Sequence, residues 1–393
     1  MRWDIRIILV SLGIILASCN PATPAALSPT LAPPSRTPTR QVSPTHTSTL
    51  IPSLTPTDTP QPISSATPTL SATTVTPSQP TANPDSTSGS TRFKDCSLSS
   101  VGLVPLSDMS VEQDYFGQEG GLYGRGENEP PAAHQRMARR ESALIVPRDP
   151  DGSPSPEGKI GLLSIGMSNA RMEFDRFQRV AGGVKSNAVV LVNGAQPAKL
   201  ASNWAEPDPN DDPWVVMMEA IDRADLTPEQ IQVVWLKDTN AMPRPGRDDF
   251  PVYAEALRDD FAQMVKKVEA LLPNVRTLYF SSRIYAGYSL IPLSPEPFAY
   301  EDGFAVRWLI LDQIEGGGVT EVTYENAPVL LWGPYLWADG GMPRSDGLAW
   351  LCEDLLSDGV HPESSGRQKV AEMLLDFFST DPLTSTWFVP SGE

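Results

Sequence analysis

The sequence holds three histidines, His46, His134 and His361. Histidine is the side chain that changes charge most readily near neutral pH, so any general base is first sought among them. His46 sits in a stretch of Pro, Thr and Ser with too little apolar surface to fold, which leaves two. His361 stands in Asp358-Gly359-Val360-His361-Pro362, followed by Glu363-Ser364-Ser365-Gly366. An acid three residues before a histidine, in a turn relaxed by glycine and closed by proline, can fold back to orient the ring. That is the acid–base half of a nucleophilic triad. Alone, such a segment is by default a surface turn. His134 follows Pro130-Pro131-Ala132-Ala133 and reads as structural or cleft-lining, with the base as its alternative role.

Partners for such a base are sought after apolar runs, because open α/β sheets bind ligands at the carboxyl ends of their strands. Gly166-Met167-Ser168-Asn169 follows the first run. A glycine there permits a tight strand-to-helix turn and puts Ser168 at a helix start, where backbone N–H groups point toward an anion. The plainer role for Ser168 or Asn169 is to cap that helix. Asn193-Gly194-Ala195 follows the second run and offers a close backbone N–H; Asp238-Thr239-Asn240-Ala241 follows the third and offers a side-chain amide. Each of these two is separately no more than a turn. Lys237 and Arg283 also lie near strand ends, where contact with substrate is one role and solvation at the surface the default.

Taken in order along the chain, the serine, glycine, asparagine and Asp-x-x-His resemble the blocks of the SGNH (GDSL-type) hydrolase family over roughly residues 159–378. The resemblance implies Ser168 as nucleophile, His361 as general base and Asp358 as its partner. It implies an oxyanion hole made by the N–H of Ser168, the N–H of Gly194 and the amide of Asn240. Asp358-Gly359-Val360-His361-Pro362 is the most specific match. Met167 stands where the family usually has Asp, and Asp238 and Ala241 flank Asn240 where a Gly-x-Asn-Asp block is usual. The implied activity is hydrolysis of an ester through an acyl-enzyme, on a small molecule or polysaccharide with O-acetyl groups first, and with no metal or organic cofactor. Trp204 and Trp214 could supply a sugar-stacking wall, with core packing the default for at least one. A catalytically inactive glycan- or protein-binding module on the same fold is the alternative. A glycosidase built on acids such as Asp211, Asp212, Asp248 and Asp249 is a further one, although runs of acids are ordinarily solvated loops.

The elements that must carry these residues alternate short apolar runs with helical patterns from Lys159 onward. Five runs qualify as strands: Ile160–Ile165, Ala188–Val192, Ile231–Leu236, Val275–Phe280 and Pro328–Trp332. Leu257, Phe261, Met264, Val265, Val268 and Leu272 recur at helical spacing, as do Val370, Met373, Leu374, Phe377 and Phe378. These predict a three-layer α/β/α domain over 159–393 with a mostly parallel five-stranded sheet, flavodoxin-like in plan. Residues 93–158 show no such alternation and read as an irregular lead-in.

Ahead of this lies a different kind of sequence. Arg2 and Arg6 precede an apolar run from Ile7 to Leu16, too short to span a bilayer and suited to an export signal. Leu16-Ala17-Ser18-Cys19 resembles a bacterial lipobox, which implies a signal peptide over 1–19 and lipidation at Cys19. Residues 20–92 hold 15 of the 40 prolines, and 45 of these 73 positions are Pro, Thr or Ser. This is the composition of a disordered linker, with a reach on the order of 50 Å. Localisation is thus expected to be extracytoplasmic, with lipid-mediated attachment to a bacterial membrane. In an exported protein Cys96 and Cys352 are expected to pair. The 301 residues after the linker carry 25 basic and 45 acidic side chains, about −20, which argues against nucleic acid or anionic headgroups as partners.

Overall fold

A computed structural model describes residues 93–390. The signal peptide, Cys19 and the linker over 20–92 lie outside the described residues. The chain first forms a short antiparallel hairpin of β1 (Asp114–Tyr115) and β2 (Gln118–Glu119), then helix α1 (Ala132–Ser142). Helix α1 lies within the stretch 93–158, which the sequence predicts to be irregular. The reason is physical: its buried positions are His134, Ala138 and Ser142, so it has no apolar stripe to betray it.

The main sheet is built from β3 (Ile160–Gly166), β4 (Val189–Asn193), β5 (Ile231–Lys237), β6 (Thr277–Phe280) and β7 (Val329–Trp332). All five are parallel, in the order β4-β3-β5-β6-β7. These are the five expected runs, with ends displaced by one or two residues. Every residue of β3, β5, β6 and β7 is buried, as a parallel sheet covered on both faces requires. Between and after the strands come α2 (Ser168–Ala181), α3 (Ala201–Ala205), α4 (Pro213–Arg223), α5 (Val252–Leu271), α6 (Phe298–Ile314), α7 (Ser364–Thr380) and α8 (Ser385–Phe388). The chain leaves β3 in one direction for β4, then crosses back to β5 and onward. Right-handed crossovers therefore place α2 and α5 on opposite faces. α7 packs on α2, and α6 and α3 pack on α5, completing the three layers.

The expected stripe of α5 is buried from Leu257 to Val268, with Leu272 just beyond the helix end. α6 was not legible in the same way, because thirteen of its seventeen residues are buried, including Glu301, Asp302 and Arg307, and no polar face alternates with an apolar one. Trp204 and Trp214 are both core residues, their rings 4.9 Å apart edge to face, and Trp214 donates from Nε1 to the Trp204 carbonyl (2.8 Å). Neither forms an exposed sugar-stacking wall. Cys96 and Cys352 are joined in a disulfide, with Cα atoms 5.4 Å apart. Beside it Lys94 donates from Nζ to the carbonyls of Cys352 (2.9 Å) and Leu355 (2.7 Å). Among the described residues no helix is long and apolar enough to cross a membrane.

Candidate active site

β3 and β5 are the adjacent strands from which the chain departs in opposite directions, and the crevice at their carboxyl ends is the topological switch point of the sheet. The turn out of β3 depends on Gly166. Its φ is +145°, and a Cβ there would lie 1.9 Å from the carbonyl oxygen of Lys237 on β5. Met167 follows in extended conformation and Ser168 opens α2. The Ser168 N–H thus belongs to the first turn, whose N–H groups have no acceptor within the helix.

The second half of the site is the loop between Leu355 and Pro362, which are themselves paired as an isolated bridge. Leu356 donates its N–H to the His361 carbonyl (2.8 Å), and Ser289 donates from Oγ to the Asp358 carbonyl (2.9 Å). Gly359, at φ +71°, leaves no room for a side chain: a Cβ would approach the Ser289 backbone to 2.8 Å. Asp358 Oδ1 accepts the N–H of Val360 (2.9 Å) and of His361 (3.0 Å). Its Oδ2 lies 2.7 Å from His361 Nδ1, and His361 Nε2 lies 2.8 Å from Ser168 Oγ. Burial favours the neutral acid at Asp358, but the two backbone donors and the imidazole outweigh it and hold the carboxyl below its ordinary range. An ionised Asp358 fixes the proton of the ring on Nδ1 and leaves the Nε2 lone pair facing the serine hydroxyl. Residues 193 positions apart are thereby brought into one hydrogen-bonded line, the geometry a proton relay requires.

Asn169, considered in the sequence only as a possible cap, has a different part. It is buried and donates from Nδ2 to the Val360 carbonyl (3.0 Å), tying the start of α2 to the histidine loop. No local pattern announces a contact across 191 residues.

Two of the expected oxyanion donors are engaged elsewhere. The Gly194 N–H donates to the Ser164 carbonyl (3.1 Å), prolonging the β3–β4 ladder. Asn240 turns away: Nδ2 donates to Asp260 Oδ2 (2.6 Å) on α5, while Oδ1 accepts the Ser202 N–H (3.1 Å). Its neighbours Thr239 and Ala241 line a cavity of about 40 Å³ beside Ser168, and Asn240 does not. The departures around Asn240 noted in the sequence thus coincide with a different use of this block.

Lys237 and Arg283 are fully buried rather than solvated. Lys237 Nζ sits 2.6 Å from both carboxylate oxygens of Glu173 on α2. Burial pushes the ammonium down, to about 8, with Glu173 opposing. Burial likewise pushes the Glu173 carboxyl up. Asp238 and Asp302 are driven well above the usual carboxylate range by burial. Arg283 lines the cavity beside Ser168.

His134 does not take part. It is buried, with Nδ1 2.8 Å from the Tyr324 hydroxyl and Nε2 2.8 Å from the Leu330 carbonyl; burial lowers its pKa to about 4. The acids considered for a glycosidase serve loops. Asp211 pairs with Lys199 (2.6 Å), Asp212 caps α4 through the Trp214 N–H (2.8 Å), Asp248 pairs with Arg244 (3.3 Å) and Asp249 accepts the Gly246 N–H (2.7 Å). Among the described residues no group of three or more His, Cys, Asp or Glu is placed to hold a metal ion.

No protein-family model matches the sequence, and no curated protein does. Among solved structures the chain is similar to a lipase from a goat rumen metagenome, 14% identical, covering 56% of this chain and 98% of that one, at a TM-score of 0.31. It is similar to the C-terminal catalytic domain of a Streptococcus pneumoniae peptidoglycan O-acetyltransferase, 17% identical, covering 60% and 99%, at 0.30. It is also similar to a Myceliophthora fergusii carbohydrate esterase of family 2 with its carbohydrate-binding domain, 14% identical, covering 56% and 66%, at 0.32.

Proposed function

We propose that this protein is a serine esterase of SGNH type that hydrolyses an ester outside the cytoplasm, with O-acetyl groups on carbohydrate as the first substrate class. The observation that carries the reading is the unbroken line Asp358–His361–Ser168, with contacts of 2.7 and 2.8 Å. Ser168 attacks the ester carbonyl as His361 Nε2 takes the hydroxyl proton, and the imidazolium is stabilised by Asp358. The tetrahedral oxyanion meets the Ser168 N–H at the start of α2. Collapse expels the alcohol, protonated by His361, and water then releases the acyl group by the same steps. Lipid attachment at Cys19 and a linker over 20–92 would tether the enzyme to a bacterial membrane outside the cytoplasm.

The engagement of Gly194 and Asn240 favours a second reading, a non-catalytic descendant that binds glycan or protein on the same fold. A short-chain aryl ester assay on the full-length chain separates the two. The esterase turns over, and Ser168→Ala and His361→Ala each abolish turnover without loss of fold. A parent protein with no turnover leaves the binding module, and turnover that survives in both variants rules out the triad.

A further inference from the structure

The cavity beside Ser168 measures about 40 Å³, room for a few water-sized groups and too little for a sugar ring. Met167, Leu200, Leu293 and Val360 give it apolar walls. Three other lining residues carry buried polar atoms with no hydrogen-bond partner: Nε, Nη1 and Nη2 of Arg283, Oγ of Ser294 and Oδ1 of Asn169. Arg283 and Asn169 are 0% exposed and Ser294 1%. A guanidinium left this way is costly, and folds seldom keep one without an occupant for the space it faces. The carboxyls of Glu173, Asp238, Glu296 and Asp302 feel its charge, yet none bonds to it.

Resting on the esterase reading above, we propose that this cavity is the acyl subsite, sized for a two-carbon acyl group, and that Arg283, with Ser294 beside it, stabilises the acyl oxyanion in place of Gly194 and Asn240. The segment carrying Arg283 is fixed in advance. Ser281 donates its N–H to the Leu236 carbonyl (3.0 Å) and accepts from Trp235 Nε1 (3.0 Å). Ser282 Oγ accepts the N–H groups of Leu336 (2.9 Å) and Trp337 (3.2 Å). With its backbone anchored by these neighbours and its side chain buried, Arg283 needs little reorganisation when charge develops, which is what makes such groups effective. As the Oγ–C bond forms, the Ser168 proton passes to His361 and the carbonyl π pair moves onto oxygen, facing Arg283. The acyl methyl lies against Leu200, Leu293 and Val360. The bond to the alcohol oxygen then breaks and His361 returns the proton to it. Asn169 Oδ1, an unpartnered acceptor that cannot also donate, suits the water that releases the acyl group.

The test compares Arg283→Met and Arg283→Lys with the parent, full-length, on an acetyl ester, with melting temperature measured alongside. The expected result for Arg283→Met is a fall in kcat of about 10²–10³-fold with KM changed by less than about threefold, and partial recovery in Arg283→Lys. A folded Arg283→Met with kcat within about threefold of the parent overturns the inference. Sulfonylation of Ser168, followed by mass, gives a readout that needs no ester and decides the matter if Arg283→Met does not fold. Methanesulfonyl fluoride is expected to label the parent at least about tenfold faster than phenylmethanesulfonyl fluoride, and Arg283→Lys to lose rate with the small reagent. Equal rates for the two reagents, or an unchanged rate in Arg283→Lys, overturn it. A parent that is labelled at Ser168 but hydrolyses no acetyl ester breaks the esterase reading and leaves the labelling rates to judge Arg283.

Discussion

Asn169 and Val360, the residues next to the serine and the histidine, are joined by a hydrogen bond of 3.0 Å from Nδ2 to the backbone carbonyl. The two halves of the Asp358–His361–Ser168 line are therefore registered by their neighbours. Asn169→Ala is expected to lower kcat by about 10–100-fold while KM stays close to that of the parent, since the bond positions His361 rather than substrate. Steady-state kinetics on a variant shown to be folded checks the split. A rise in KM alone would contradict a positioning role.

Within the proposed triad the losses should be unequal. Ser168→Ala and His361→Ala are each expected to reduce turnover by on the order of 10⁴–10⁶-fold, and Asp358→Asn by about 10²–10⁴-fold, with the double variant Ser168→Ala/His361→Ala no worse than either single one. Additive losses would mean that the groups do not act as a unit.

Gly166 meets Lys237 more closely than any side chain allows. Gly166→Ala puts a Cβ where the carbonyl oxygen is, at a φ of +145° that L-residues avoid, so the strands must part or the turn must change. A loss of at least about 3 kcal/mol in urea unfolding is expected.

The ion pair under the site should behave as a pair. Lys237→Met leaves the Glu173 carboxylate buried alone and is expected to cost about 3–5 kcal/mol, whereas Lys237→Met with Glu173→Leu recovers most of that. Chemical denaturation of the two variants is the measurement.

His134 gives the fold a pH signature. Its pKa falls from 6.5 to about 4 on burial, so the unfolded chain binds the proton more tightly. Its contribution is fully present above pH 6.5 and is lost as pH falls toward 4. Glu296 and Glu301, both raised to about 7 by burial, pull the other way, destabilising as pH rises from their ordinary range. The difference in melting temperature between parent and His134→Gln isolates the histidine. That difference should shrink between pH 6.5 and 4.

The sheet was legible because all five strands are apolar runs bounded by polar or Gly/Pro residues, and α5 because its stripe repeats at helical spacing. α1 and α6 were not, one having Ala138 as the sole apolar residue among its buried positions and the other lacking a polar side. In the site, Ser168, His361 and Asp358 are placed by turns that glycine and proline mark locally. Asn240 and Gly194 carried the right residue types, but their hydrogen bonds go to Asp260 and Ser164, and partners distant in sequence leave no local trace. Arg283 looked like an ordinary surface cation because its burial depends on the packing of loops that converge only in space.

The sulfur bridge between Cys96 and Cys352 also decides where tension is carried. Cys96 is the fourth described residue, and Cys352 lies nine residues before His361. A pull arriving through the preceding polypeptide passes at Cys96 into a covalent link. The link makes the hold on the short helical turn at Cys352 covalent, so under the proposed attachment at Cys19 the front of the domain could not be peeled from this turn without breaking a bond.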